Sequence, residues 1–226
     1  MLELLNTFMP NVVELFPDMM KALGETILMV VIAGSISTAI GIIIGTIIVV
    51  TRPGNILENN AIYSTVGKII NIFRSIPFVI LLAAAVPFTR LIVGTTIGLK
   101  GAIVPLVLGS VPFVARQIES ALLDIDKGII EAAQAMGASP FEIIYRILLK
   151  EGLPGIVYAL TITTVSLIGF SAVAGTVGGG GLGDFAIRYG YQYFKTDIMV
   201  ATIIILLILV NGIQSFGDFL LKKLSH

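Results

Sequence analysis

Apolar residues run almost without interruption along most of the chain, and polar positions gather into a few short intervals that cut it into pieces. Residues 26–51 carry no charge at all. A helix needs about 20 apolar residues to cross roughly 30 Å of hydrocarbon, so this stretch predicts a first span. Residues 101–115 predict a third helix, continuing past Arg116 toward Asp124; residues 152–175 predict a fourth and 198–217 a fifth. The second span is less clean. Too few residues lie between Arg74 and Arg90 to cross alone, so it is expected to begin before Arg74, whose guanidinium then snorkels toward water. Pro77 predicts a kink in that helix, and Pro105 and Pro112 predict irregular helix in the third. Ala33, Ser37, Gly41 and Gly45 recur every four residues, a stripe of small side chains that lets helices approach in lipid.

Before the first span, residues 1–25 mix Leu, Phe and Met with Glu3, Glu14 and Asp18, and read as an amphipathic lead-in on the membrane surface. No basic start or small-residue cleavage site marks a signal peptide. Residues 26–220 then form one transmembrane domain, and 221–226 a tail.

Residues 124–154 are the one long water-facing connection. Gly137 suits the left-handed residue that ends a helix; Ser139 suits an N-cap, Pro140 the first helical position and Glu142 a capping box. Two short helices are therefore expected to meet at a bend near Gly137. Ile129, Ile130, Ala133 and Met136 fall at helical spacing before it. Pattern alone leaves two readings open: a slim helix that enters a groove on another protein, or an interfacial pair resting on headgroups.

Composition agrees with a membrane protein. Of 226 residues 56% are hydrophobic and 12% charged, and the mean hydropathy is +1.02. Formal net charge is zero, which gives no hint of nucleic-acid binding. There are no cysteines, so no disulfide or thiolate metal site is expected. His226 reads as a terminal bystander. Five spans put the N-terminus outside and the C-terminus inside when residues 124–154 face the cytoplasm. Nine of the 14 Lys and Arg residues then lie on the inner side, as the positive-inside rule requires.

Glu131-Ala132-Ala133, Gly137 and Ile147 resemble the EAA loop of binding-protein-dependent ABC importer permeases. The segments VTRPG (50–54), NIFRSIPF (71–78), PFTRLIVGTTIGL (87–99) and VGGGGLGD (177–184) narrow the likeness to methionine-import permeases. The likeness extends over nearly everything after Thr26. One departure stands out: the family pattern ends I-x-L-P, whereas Ile147, Leu148 and Leu149 are followed here by Lys150, and Leu-Pro comes only at 153–154.

The resemblance implies an all-α, five-span type I ABC importer permease in the cell membrane. It implies pairing with a second copy, two ATP-binding ABC subunits and an external substrate-binding protein, with methionine as substrate. ATP is then bound by the partner subunit, and no cofactor, metal or catalytic residue is expected in this chain. Glu131, Ala132, Ala133, Met136, Gly137, Ala138, Ser139 and Pro140 become the ATPase-docking residues. The alternatives are a permease for another small amino acid or osmolyte, or an ATPase-independent channel or scaffold.

Candidate chemistry elsewhere is sparse. Hydroxyls at Thr161, Thr163, Thr164, Ser166 and Ser171 bond across helices or line a path, and Thr163, Ser166, Phe170 and Ser171 are the candidate path residues. The run 178–183 has no Lys-Ser/Thr after it, unlike a phosphate loop, and reads as a flexible outer turn. Arg188, Tyr189, Tyr191, Tyr193 and Phe194 suggest an interfacial aromatic belt. The clear spans hold no ionisable residue, which argues against a proton-coupled transporter or a channel with charged rings. No Walker A lysine, HExxH pair or nucleophile elbow is present either.

Overall fold

The computed structural model describes residues 8–224; Met1–Thr7 of the expected lead-in, and His226 with the end of the expected tail, lie outside the described residues. The described residues form α1 (Pro10–Glu14), α2 (Phe16–Thr51), α3 (Asn60–Ser75), α4 (Phe78–Ala84), α5 (Val86–Val93) and α6 (Gly98–Leu123). Next come α7 (Lys127–Ala135), α8 (Pro140–Glu142), a π-helical segment (Ile143–Leu148) and α9 (Leu149–Glu151). The chain closes with α10 (Leu153–Gly175), α11 (Gly181–Phe185), a second π segment (Ala186–Gln192) and α12 (Thr196–Leu224). No strand occurs among them. Four helices, α2, α6, α10 and α12, are long and apolar enough to cross a membrane, and the broken pair α3 with α4 makes a fifth span if counted as one.

Three expectations need adjusting. The first helix begins at Phe16 rather than near Thr26, so Asp18, Lys21 and Glu25 belong to it and only the chain before Phe16 stands apart. A helix needs no apolar side chains where it is wet. At Pro77 the helix breaks instead of kinking: Ile76 is extended (ψ 122°), as a residue before proline prefers, and α4 restarts at Phe78. By contrast α6 runs unbroken through Pro105 and Pro112.

By its contacts the chain divides into two units. Among the described residues the first comprises 8–35, Pro77–Leu108 and Thr164–Gln214. One of its cores gathers Met29, Ala33, Leu106 and Leu167, and a second gathers Met19, Leu182, Phe185 and Ile198. Here the glycine run is no flexible turn. Gly181, Leu182, Gly183 and Phe185 are buried, with the Gly181 amide donating to Glu25 Oε2 at 2.9 Å and the Leu182 amide to Thr26 Oγ1 at 2.8 Å. Gly183 lies so close to the backbone of Ala172 that no side chain fits. The start of α12 is tied to α1 through Asp197, which accepts from Asn11 N at 2.9 Å and Asn11 Nδ2 at 3.1 Å. In the aromatic segment Tyr189 packs on Phe185 and Tyr193, at ring distances of 5.0 and 5.7 Å, while Tyr191 and Phe194 stay exposed.

Among the described residues the second unit comprises Ile36–Ile76, Gly109–Thr163 and 215–224. Within it the small-residue stripe packs α2 against α6: Ser37 Oγ and Ser110 Oγ are 2.7 Å apart, and a Cβ on Gly45 would lie 2.7 Å from the Ala115 carbonyl oxygen and 2.8 Å from Ile118 Cβ. Helix packing in lipid depends on such contact, because hydrocarbon offers apolar helices no hydrophobic drive to associate. Arg116 binds α3 to α6, donating to Gly67 O at 3.1 Å and Asn71 Oδ1 at 2.9 Å while it pairs with buried Glu119. The core of this unit is Val49, Val114, Ile118, Leu122, Ala133, Ile143, Leu148, Ile156 and Ala159.

Candidate docking site and path residues

The bend at residues 135–142 forms from local chemistry. Asp126 caps α7 by accepting from Gly128 N at 2.7 Å. At the far end Gly137 adopts φ +82°, and two reversed bonds close the helix: Gly137 N to Gln134 O at 2.9 Å and Ala138 N to Ala133 O at 3.1 Å. This is a Schellman termination, in which the left-handed residue is almost always glycine. Ser139 then caps α8, with Pro140 in its first turn; Ser139 N donates to Glu142 Oε2 at 3.0 Å and Glu142 N donates to Ser139 Oγ at 3.4 Å. The bonds from the Ser139 backbone and hydroxyl, in that order, hold the Glu142 carboxyl below its ordinary range, and Arg146 at 4.0 Å lowers it further.

Both helices of the bend have an inner and an outer side. Ala133 is 3% exposed and belongs to the core, with Ile130 and Ala138 packed against that core. Glu131, Ala132, Met136, Gly137, Ser139 and Pro140 face out. Of the eight expected docking residues, therefore, Ala133 and half-buried Ala138 anchor the bend and the other six offer surface.

Two neighbours join that surface that sequence reasoning did not select. Phe141 and Tyr145 are 74% and 67% exposed, and their rings lie parallel with centroids 6.5 Å apart. With Met136, 82% exposed, they make an apolar edge on a water-facing loop. The sequence offered only their i, i+4 spacing; that they face away from buried Ile143 and Leu148 depends on the π-helical turn, because at α-helical spacing Leu148 would share a face with Phe141.

The departure from I-x-L-P falls where the helix widens. Residues Ile143–Leu148 are π-helical, and no break follows them; the chain continues through α9, and the displaced Leu153-Pro154 opens α10, where a proline removes no intrahelical bond.

The path candidates are placed differently. Thr163 and Ser171 are buried, and their hydroxyls donate to carbonyls of their own helix, Ala159 O at 2.8 Å and Ile168 O at 2.7 Å. Ser166 and Phe170 are half-buried, and Phe170 stacks on Phe78 at 4.6 Å. Among the described residues no group of three or more His, Cys, Asp or Glu side chains is arranged to hold a metal.

Known proteins share this arrangement. Residues 41–225 match the family described as binding-protein-dependent transport system inner membrane component. The chain is 50% identical over 208 residues, 92% of each chain, to the probable D-methionine transport system permease protein MetI of Vibrio cholerae. It is 52% identical to the Escherichia coli K12 D-methionine transport system permease protein MetI over 157 residues, 70% of this chain and 72% of that one. Among solved structures, a chain from inward-facing conformations of the MetNI methionine ABC transporter superposes with a TM-score of 0.93 at 46% identity, covering 94% of this chain and 99% of that one. With the family model matching more than four-fifths of the sequence, a relative half identical over 92% of each chain, and four or five helices long and apolar enough to cross a membrane, this chain is a multi-pass membrane protein of the family of binding-protein-dependent transport system inner membrane components.

Proposed function

We propose that this chain is the membrane-spanning permease of an ATP-driven methionine importer, paired with a second copy and with two cytosolic ATPase subunits, and fed by an external substrate-binding protein. The observation that carries the reading is the capped bend at Gly137, whose outward edge is free for a partner while its inward side is part of the core. Likeness to proteins named for D-methionine transport, at 50% identity over 92% of the chain, supports the substrate.

The permease domain, expected at 26–220, runs from the start of α2 at Phe16 to the end of α12 at Leu224, with the coupling loop at 124–154 on the cytosolic side. The outer edge, from Glu131 and Ala132 through Met136 and Gly137 to Ser139 and Pro140, seats in a groove of the ATPase, and Phe141 and Tyr145 extend the contact. When ATP closes the ATPase pair, force enters at this edge. Ala133, Ile143 and Leu148 pack directly into the core with Ile118, Leu122, Ile156 and Ala159, so displacement of the loop moves α6 and α10 of that unit with it. Interiors are packed too closely to absorb the movement. ATP shifts the transport equilibrium only as far as it favours one docked state.

The chain itself holds no cofactor and performs no catalysis; ATP is bound and hydrolysed by the partner. Among the path candidates, Ser166 and Phe170 face the route, and Thr163 and Ser171 shape the helix that carries them.

The test is uptake of labelled methionine by vesicles holding this chain, its ATPase and the binding protein. Uptake that requires all three and ATP is the expected result. Downhill movement of methionine through the chain alone overturns the reading.

A further inference from the structure

The inner half of α12 has three sides, and one of them does not suit lipid. The packed side holds Leu206, Val210 and Ile213, which lie against a core containing Leu167, and then Gly217, where a Cβ would run into Thr161 of α10. A second side is exposed and apolar, with Ile208, Gly212, Phe216 and Phe219. The third is exposed and polar: Asn211, Gln214, Ser215 and Asp218 recur at i, i+3, i+4 and i+7 and so share one face of the helix.

Depth decides what that face can meet. The apolar run of this span ends near Gly217, and six residues at about 1.5 Å each put Asn211 roughly 9 Å inside it. An asparagine side chain is too short to reach back to water from there, as a lysine or arginine does. Among the described residues its amide makes one bond, Nδ2 donating to Leu207 O at 2.7 Å, which leaves the amide oxygen and a second N–H to be satisfied. Hydrocarbon satisfies neither. The outward side of α2 shows what lipid requires, with Ile36, Ile40, Ile43 and Ile47 exposed along it.

Followed outward, the polar face of α12 turns apolar at Leu207, Ile204 and Val200, all exposed and on the same line of the helix. The inner half of this line therefore holds water and the outer half sheds it, as in a chamber that ends at an apolar constriction.

We propose that Asn211 and Gln214 line the inner, water-filled half of the methionine route between the two copies, where their amides offer donors to the carboxylate and acceptors to the ammonium of a zwitterionic solute. The proposal rests on the reading of the chain as one of two permease copies in an ATP-driven importer. It adds α12 to the path candidates on α10.

The chain has no cysteine, so single cysteines report on each side of the helix. Asn211→Cys and, on the apolar side at the same depth, Gly212→Cys are reconstituted with the ATPase in lipid nanodiscs. Each is treated with a charged, water-soluble thiol reagent, with and without a non-hydrolysable ATP analogue. A thiol in lipid stays protonated and inert, so without nucleotide Asn211→Cys should react about tenfold faster than Gly212→Cys. The analogue should slow Asn211→Cys by about tenfold as the inner half closes.

Equal rates at the two positions overturn the proposal in favour of a lipid-facing stripe. A fast rate that the analogue leaves unchanged overturns it in favour of a place among headgroups. A slow rate with oxidative cross-linking of Asn211→Cys to its counterpart in the second copy overturns it in favour of dry helix packing. Should Asn211→Cys assemble poorly, Gln214→Cys is read in its place by the same criteria. Methionine uptake by the parent complex in vesicles separates this proposal from the reading beneath it: with ATP-driven uptake intact, any of those three results removes the stripe alone, whereas a parent without such uptake removes both.

Discussion

Ala133 and Met136 sit three residues apart on one helix and do opposite jobs. Ala133 is 3% exposed in the core and Met136 is 82% exposed at the edge. Ala133→Leu should therefore overpack the chain itself, costing about 1–3 kcal/mol and lowering its melting temperature before any partner is added. Met136→Asp should leave the melt unchanged and weaken ATPase binding. Equal melts for the two variants would refute this division. The capping carboxylate makes a separate prediction. Because the folded state lowers the Glu142 pKa, its contribution is present above the ordinary carboxylate value and is lost as pH falls through the lowered one. Amide hydrogen exchange at residues 139 and 142, corrected for intrinsic rate, should lose protection on acidification in the parent and stay flat in Glu142→Gln. The bend was legible because its signals are local: Gly137, Ser139, Pro140 and Glu142 act across six residues, and each has one favoured backbone role. Which way Ala133 pointed was not legible, since slim residues on a helix face read alike until the core is known.

Among elements, α3 and α6 are held by a single polar knot. Arg116 reaches Gly67 O and Asn71 on α3 and pairs with Glu119, which is buried. Arg116→Met strands a buried carboxylate and should cost about 3 kcal/mol, whereas adding Glu119→Gln should restore part of the loss. Thermal melts of the two variants check this, and additivity of the two substitutions would refute the coupling. Long charge-free spans were legible from hydropathy, and α6, α10 and α12 begin or end within a few residues of expectation, except that α12 runs on to Leu224. The start of α2 was not: Lys21 and Glu25 look like a boundary in sequence, yet Glu25 is needed inside the helix to accept the Gly181 amide, a contact 156 residues away. The widened Ile143–Leu148 turn also has no local sequence signal, because one extra residue per turn is imposed by what the helix packs on.

Over the whole chain, the family was legible because several separate segments agreed in order, while the spans themselves carry almost no information about substrate. Nothing in an uncharged bilayer helix encodes a thioether. Selection by an external binding protein removes the need for a detailed pocket, so a permease can be nearly featureless in sequence and still serve one nutrient.

α2 has 36 residues in one uninterrupted helix, which at 1.5 Å per residue extends about 54 Å. The hydrocarbon it crosses is about 30 Å thick, so the helix overshoots it even when tilted. Only residues 26–51 of it are charge-free, about 39 Å, and tilting takes up that smaller excess, so this span should tolerate a modest range of bilayer thickness. Uptake in vesicles of short-chain and of long-chain phosphatidylcholine should differ by less than about twofold, and a steep optimum at one acyl length would mean that the ends of α2 are pinned at fixed depths.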